Sequence, residues 1–367
     1  MKILILSNHL NFGGITAYVG NLCKALQGKD GIEMVVASRG GDCEKDLQKM
    51  GVHVLRIPLS TKSEVSPKVF WSFLKLRKEI KRLKIDVIHA NTRVTQVLAA
   101  LLSGATGVPV LSTCHGYFKR RLFRRLFPCW GRRVIAISDQ VRDHLIDDFK
   151  IDPQRIELIY NGVDLEKFMP RPLEEIVAEK KKWGLSPAKK IIGHIGRLSP
   201  VKGQRFLILA AAVLARKRKD FQILLIGDGD QKENLQKLIH QNRLGEIVFL
   251  CPSVRETTLA LNMMDVFVMP SLQEGLGISL LEAQAQGVPI VASRVGGIPT
   301  IVEDAVTGLL VPAQDEHALA LAISRLLDDQ ALRQCVVEKA KRQVREKFSL
   351  GEMAEKTRKV YTDLYNS

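Results

Sequence analysis

Long apolar runs are missing from this chain of 367 residues. The best, Phe206–Ala215, is bounded by Arg205 and Arg216, about half of the ~20 residues that a membrane-spanning helix requires. After Lys2 the N-terminus offers only Ile3–Leu6, too short for the core of a signal peptide. Cysteine is sparse. The six residues at 23, 43, 114, 129, 251 and 335 form no CxxC and no zinc-type pairing, which argues against a metal site built on them. With no signal peptide, reduced thiols and a cytoplasmic location are expected. No low-complexity tract occurs, and no helix-turn-helix, zinc-finger, RRM or KH pattern supports a nucleic-acid partner.

The composition is that of a folded protein, with 46% hydrophobic and 26% charged residues, and excludes intrinsic disorder. The length suggests two domains at ~150 residues each. The net charge is +16, and residues 1–170 carry 27 basic against 16 acidic side chains. The excess lies mostly in the first half and favours an anionic partner.

Short, continuously apolar runs recur, from Ile3–Leu6 and Met34–Ala37 to Ile290–Ala292 and Leu309–Val311. Such runs read as parallel strands covered on both faces. Between them lie helical patterns, for example Val69, Phe73, Leu76, Ile80 and Leu83 at helical spacing with Lys and Arg between. Strand alternating with helix predicts an α/β, doubly wound architecture. A break falls between Tyr160 and Lys190, where Asn161-Gly162-Val163-Asp164 is followed by Pro170, Pro172 and a charged helix over Glu174–Lys182. Two Rossmann-like domains, 1–165 and 166–349, are therefore expected. The residues alone do not show where the final helix, Glu352–Tyr365, docks.

Five segments carry chemistry. Pro270–Glu282 follows the apolar run Val266–Met269 and opens a helix. Gly275 and Gly277 let a ligand approach the backbone closely, and the amides at the helix start, with the helix dipole, favour an anion such as phosphate. Glu274 precedes the first turn, and Glu282 stands ~8 Å along the axis at ~1.5 Å per residue. Two carboxylates flanking an anion site suit a ligand with phosphate in the middle and hydroxyls at both ends, as in a sugar nucleotide. The plain alternative is a capped surface helix with two solvated glutamates.

The second segment, Gly196-Arg197-Leu-Ser-Pro-Val-Lys202-Gly203, follows a strand, where doubly wound folds bind ligands. A guanidinium fork and an ammonium could neutralise a diphosphate leaving group without a metal; equally, both could be solvated loop charges. In the third, Gly13-Gly14, a tight turn and a phosphate-facing loop fit equally well. His115, in the fourth, follows a strand and reads either as a substrate contact or as a structural imidazole. The fifth, residues 119–130, alternates Arg pairs with Leu-Phe pairs. Leu122, Phe123, Leu126 and Phe127 would share a helix face flanked by arginines, suited to an anionic membrane surface or to covering the sheet. Asp228-Gly-Asp230 has the form of a metal-holding DxD, but its glycines fit a turn into a helix that Asp230 could cap.

Together, Glu274-x7-Glu282, Gly196–Gly203, Gly13-Gly14, Asn161–Asp164, Gly227-Asp-Gly and Gly287–Gly297 resemble glycosyltransferase family 4, retaining enzymes of the GT-B fold. The resemblance implies two Rossmann-like domains facing a central cleft, with the C-terminal helix, 350–367, packed back on the N-terminal acceptor domain. It implies that the C-terminal domain holds a nucleoside-diphosphate sugar, most commonly a uridine diphosphate sugar, with no metal and no further cofactor. Arg197 and Lys202 would grip the diphosphate, helped by Gly196. Glu282 would take the ribose hydroxyls and Glu274 the sugar hydroxyls. Backbone amides of Gly275, Leu276, Gly277, Ile278 and Ser279 would assist. Gly13-Gly14 would close over the diphosphate, and His115 would stand near the donor sugar. Catalysis would then fall to Glu274, His115, Arg197 and Lys202. Two departures from the family pattern are Thr300, where Glu is common after Gly-Gly-x-Pro, and Cys251, where Gly is common. The expected activity is transfer of a sugar to an acceptor hydroxyl in cell-envelope glycan or lipopolysaccharide synthesis. A glycan or lipid-linked acceptor and peripheral attachment to the inner face of the membrane are expected with it. A nonhydrolysing sugar-nucleotide epimerase and a non-catalytic sugar-nucleotide-binding scaffold stay open as alternatives.

Overall fold

The computed structural model describes residues 1–61, 63–119 and 122–366, and the backbone alone of Arg125. The chain divides into two compact units. Unit 1 comprises residues 1–162 with the C-terminal segment from Leu350, and unit 2 comprises Val163–Ser349.

Unit 1 contains seven parallel strands: β1 (Lys2–Leu6), β2 (Glu33–Ser38), β3 (His53–Arg56), β4 (Val87–Ala90), β5 (Val110–Cys114), β6 (Arg133–Ala136) and β7 (Ile156–Leu158). Their order across the sheet is 3-2-1-4-5-6-7. Unit 2 contains six: β8 (Lys190–Ile195), β9 (Phe221–Ile226), β10 (Val248–Cys251), β11 (Val266–Met269), β12 (Ile290–Ser293) and β13 (Leu309–Val311), in the order 10-9-8-11-12-13. Every pairing is parallel. Each sheet therefore reverses its winding beside its first strand, and ligands of doubly wound folds bind at the carboxyl ends of the strands there.

The runs are uniformly apolar because helices cover both faces. In unit 1, Ile3, Ile5, Met34 and Val36 pack into one layer, while Leu4, Leu6, Val35 and Ala37 pack into the other. The helix Pro67–Leu83 starts at Ser66, whose side chain accepts from the Lys68 amide, and buries Val69, Leu76 and Ile80. Phe73 and Leu83 lie partly buried against the same core. The final helix, Leu350–Tyr365, inserts Met353, Val360, Tyr361 and Leu364 into the unit 1 core. There the Tyr361 hydroxyl lies 2.6 Å from Nδ1 of His89, buried in β4. All six cysteines are free thiols. Among the described residues, no helix is long and apolar enough to cross a membrane.

Candidate active site

In unit 2 the loops that leave β8, β9, β11 and β12 are stitched side by side by backbone hydrogen bonds. The Leu198 amide donates to Asp228 at 2.9 Å, the Leu272 amide to Val201 at 2.8 Å and the Gly297 amide to Glu274 at 2.9 Å. Two glycines allow this closeness. Gly203 has φ +65°, and a Cβ there would stand 2.0 Å from the Pro270 carbonyl oxygen; Gly296 has φ +50°, and a Cβ would stand 2.1 Å from the Glu274 carbonyl oxygen. Any other residue would be strained in these conformations and would force the loops apart.

This stitching brings Lys202 of the β8 loop onto Glu274 of the β11 loop. The ammonium and carboxylate form an ion pair whose side chains are 21% and 13% exposed. Arg197 lies on the same β8 loop and is exposed. Beyond Glu274, Leu276 and Gly277 are buried, and the helix Ile278–Gln286 begins. Glu282 is the fifth residue of that helix. Burial pushes its carboxyl up to about 7, against the hydrogen bond from Thr257 and the charge of Lys167, both of which pull it down.

Beneath the β8 loop lies a residue that sequence reasoning missed. His194, within β8, is buried; its Nδ1–H donates to the Val268 carbonyl at 2.9 Å. Gln204 donates to its Nε2 at 3.1 Å and to the Arg197 carbonyl at 2.9 Å. Burial lowers the imidazole to about 4, although the Val268 bond raises it; the charge of Lys202 lowers it further. A histidine inside an apolar strand was the available signal.

Asp228 lies exposed in the loop after β9. Its carboxylate accepts from the Ser253 amide at 2.9 Å, and the bonds from Ser253 hold it below the usual carboxylate range. The expectation that Asp230 caps the following helix is not met. The helix Lys232–Gln241 starts after Gln231 with no side-chain cap, because the glycine turn runs further than the sequence suggests. Among the described residues no group of three or more His, Cys, Asp or Glu is placed to hold a metal ion.

In unit 1, Gly13 and Gly14 are exposed where the β1 loop enters the helix Gly14–Leu26, whose first turn has neither an acidic residue nor a side-chain cap. His115 follows β5. Its Nε2–H donates to Asn91 Oδ1 at 3.0 Å, which leaves Nδ1 as a lone-pair acceptor. Burial lowers this imidazole to about 3, and the edge of Tyr18 packs on it with ring centroids 4.8 Å apart.

Among the described residues of the basic segment 119–130, Leu122–Leu126 form a short helix. Arg120, Arg121 and the Arg125 side chain lie outside the described residues. Leu122, Phe123, Leu126 and Phe127 are all exposed. The expected flanking arginines are corrected at Arg124, which is buried. Its guanidinium lies over the Phe118 ring at 4.0 Å and near Trp130 and Phe149, because three aromatic faces offer a cation more than solvent does once its stem is covered.

Two Rossmann-like units of these strand orders have the architecture of the GT-B fold. Two family models match: "Glycosyltransferase Family 4" over residues 12–167 and "Glycosyl transferases group 1" over residues 176–343. EpsF of Bacillus subtilis is 30% identical over 310 residues, covering 80% of this chain and 79% of its own. An Escherichia coli protein named UDP-Gal:alpha-D-GlcNAc-diphosphoundecaprenol alpha-1,3-galactosyltransferase is 27% identical over 309 residues, covering 80% and 79%. The structure of Anabaena HepE in complex with UDP-glucose matches with a TM-score of 0.88 at 22% identity, covering 99% of this chain and 100% of that one, a likeness of fold. The chain belongs to glycosyltransferase family 4, and it is an enzyme, a glycosyltransferase that uses nucleotide sugars.

Proposed function

We propose that unit 2 holds the nucleoside-diphosphate sugar and that the enzyme transfers its sugar, with retained anomeric configuration, to the hydroxyl of a cell-envelope glycan or lipid-linked glycan, lipopolysaccharide included. The observation that carries this reading is the meeting of Lys202, Glu274 and the Ile278–Gln286 helix start on loops fixed to one another. Lys202 and Arg197 neutralise the departing diphosphate, aided by the amides of Gly275 to Ser279 and by Gly196, so that charge is stabilised where it develops. Glu282 accepts the ribose hydroxyls and Glu274 the sugar hydroxyls. To unit 1 we assign the acceptor. There, exposed Gly13 and Gly14 open a helix with no acidic residue in its first turn, a setting that suits phosphate, and neutral His115 offers Nδ1 to a sugar hydroxyl. No side chain is needed as a covalent nucleophile if the acceptor attacks from the face the diphosphate leaves and the phosphate takes its proton. The name of the E. coli relative, with its diphosphoundecaprenol-linked acceptor, supports a lipid-linked acceptor. A uridine diphosphate donor draws support from the name of the same relative and from the UDP-glucose complex of HepE.

The exposed Leu122, Phe123, Leu126 and Phe127 support a peripheral seat on an anionic membrane at the cytoplasmic face. Co-flotation with vesicles containing phosphatidylglycerol tests this; equal recovery of wild type and a Leu122→Ser/Leu126→Ser variant in the vesicle fraction contradicts it. The reaction is tested by incubation with UDP-, GDP- and ADP-sugars and polyprenyl-diphosphate glycans or lipopolysaccharide core. Acceptor-dependent release of nucleoside diphosphate is expected. An epimeric sugar nucleotide, or binding with no product, contradicts the reading in favour of an epimerase or a scaffold.

A further inference from the structure

The Lys202–Glu274 ion pair occupies the two side chains that a donor needs. Each satisfies the other's charge, at sites that are 21% and 13% exposed. Their loops are pinned: the Lys202 amide donates to Ser199 at 3.0 Å, the Leu272 amide to neighbouring Val201 at 2.8 Å and the Gly297 amide to Glu274 at 2.9 Å. Exchange of partners therefore asks only for side-chain rotation, not loop movement.

From this we infer that the pair is a specificity device that makes unit 2 favour an intact nucleotide sugar over the nucleoside diphosphate left after transfer, and that its re-formation discharges that product. The inference rests on the donor reading of unit 2 given above. A bare nucleoside diphosphate draws Lys202 to its phosphates and leaves the Glu274 carboxylate mostly buried, without its cation and close to further negative charge. Such a group is costly to leave unsatisfied. An intact nucleotide sugar draws Lys202 in the same way, but its sugar hydroxyls donate to Glu274 in exchange. Once the sugar has gone to the acceptor those donors are lost, and the carboxylate competes with the phosphates for the ammonium.

The test is calorimetric titration of the full chain with UDP and UDP-glucose, repeated with GDP, ADP and their glucose esters. Wild type is expected to bind the glucose ester more tightly than the matching diphosphate. Glu274→Gln and Glu274→Ala are expected to bind the diphosphate about tenfold more tightly than wild type, the scale of one relieved unpaired charge, without gaining for the ester. Glu274→Asp, which keeps the charge, should show no gain. The inference is overturned if the charge-removed variants gain nothing for the diphosphate, or gain equally for both ligands. Should both variants unfold, as circular dichroism would show, wild type alone still decides: tighter binding of the diphosphate than of its ester overturns the inference. Failure of all three ligand pairs to bind wild type overturns the donor reading and this inference together, whereas binding with an unchanged ratio removes the inference alone.

Discussion

Gln204 donates one amide hydrogen bond to Nε2 of His194 at 3.1 Å and another to the carbonyl of Arg197 at 2.9 Å. With Nδ1–H committed to Val268, His194 is fixed as a single neutral tautomer, and through Gln204 it sets where the β8 loop turns. Gln204→Leu removes both bonds and strands a buried acceptor. We expect a loss of about 1–3 kcal/mol in stability and a donor KM raised more than kcat is lowered. Denaturant unfolding and steady-state kinetics check this; an unaltered KM would mean that the loop does not depend on this contact.

Removing the cations should separate chemistry from folding. Arg197 is exposed, so Arg197→Ala should leave the melting temperature unchanged. If the guanidinium stabilises the departing diphosphate, turnover should fall by roughly 10²–10³-fold. Lys202→Ala should lower turnover similarly, and it also leaves Glu274 without its partner. Near-normal rates in both variants would refute the leaving-group role.

The buried imidazoles set an acid limit. His89 is lowered to about 3 and His194 to about 4, both mainly by burial. In the unfolded chain each takes up a proton below its ordinary value of 6.5, while the folded protein refuses it. The unfolded state then binds more protons, so stability is full above about pH 6.5 and falls as pH drops towards 4. Melting temperature against pH should decline through that window, and His89→Gln should make the decline shallower, His115 and His194 carrying the rest. A flat wild-type profile would contradict the burial argument.

Glu282 titrates in the opposite sense. With its carboxyl raised to about 7 by burial, it is protonated in the free protein at pH 6 and ionised at pH 8. Two ribose hydroxyls donate best to a carboxylate. Affinity for UDP-glucose, whose diphosphate diester does not titrate in this range, should therefore rise between pH 6 and pH 8. Glu282→Gln should bind more weakly at pH 8 and lose the pH dependence. Calorimetry at both values decides, and a dependence that persists in Glu282→Gln would assign it elsewhere.

The strands were legible because a parallel strand buried on both faces leaves an unbroken apolar signature, as Ile3–Leu6 and Ile223–Ile226 do. The crossover helix Pro67–Leu83 was legible from its stripe for the same reason. The Lys202–Glu274 pair was not, since the two residues lie 72 positions apart and meet only because glycines let neighbouring loops touch. The residues alone did not show the seat of the final helix; the family resemblance placed it on the N-terminal domain, and it lies in unit 1. Its stripe of Met353, Val360, Tyr361 and Leu364 states that a face is buried; the structure shows that face in the unit 1 core, with the Tyr361 hydroxyl hydrogen-bonded to His89. The inward turn of Arg124 was hidden too, because aromatic faces from three separate positions, Phe118, Trp130 and Phe149, supply its box.

One measurement bears most directly on the donor site: a crystal structure of the protein grown with UDP-glucose. The account predicts the diphosphate against Lys202, Arg197 and the amides that open the Ile278–Gln286 helix, the ribose on Glu282, and Lys202 released from Glu274. A nucleotide bound elsewhere, with the ion pair of Lys202 and Glu274 undisturbed, would contradict it.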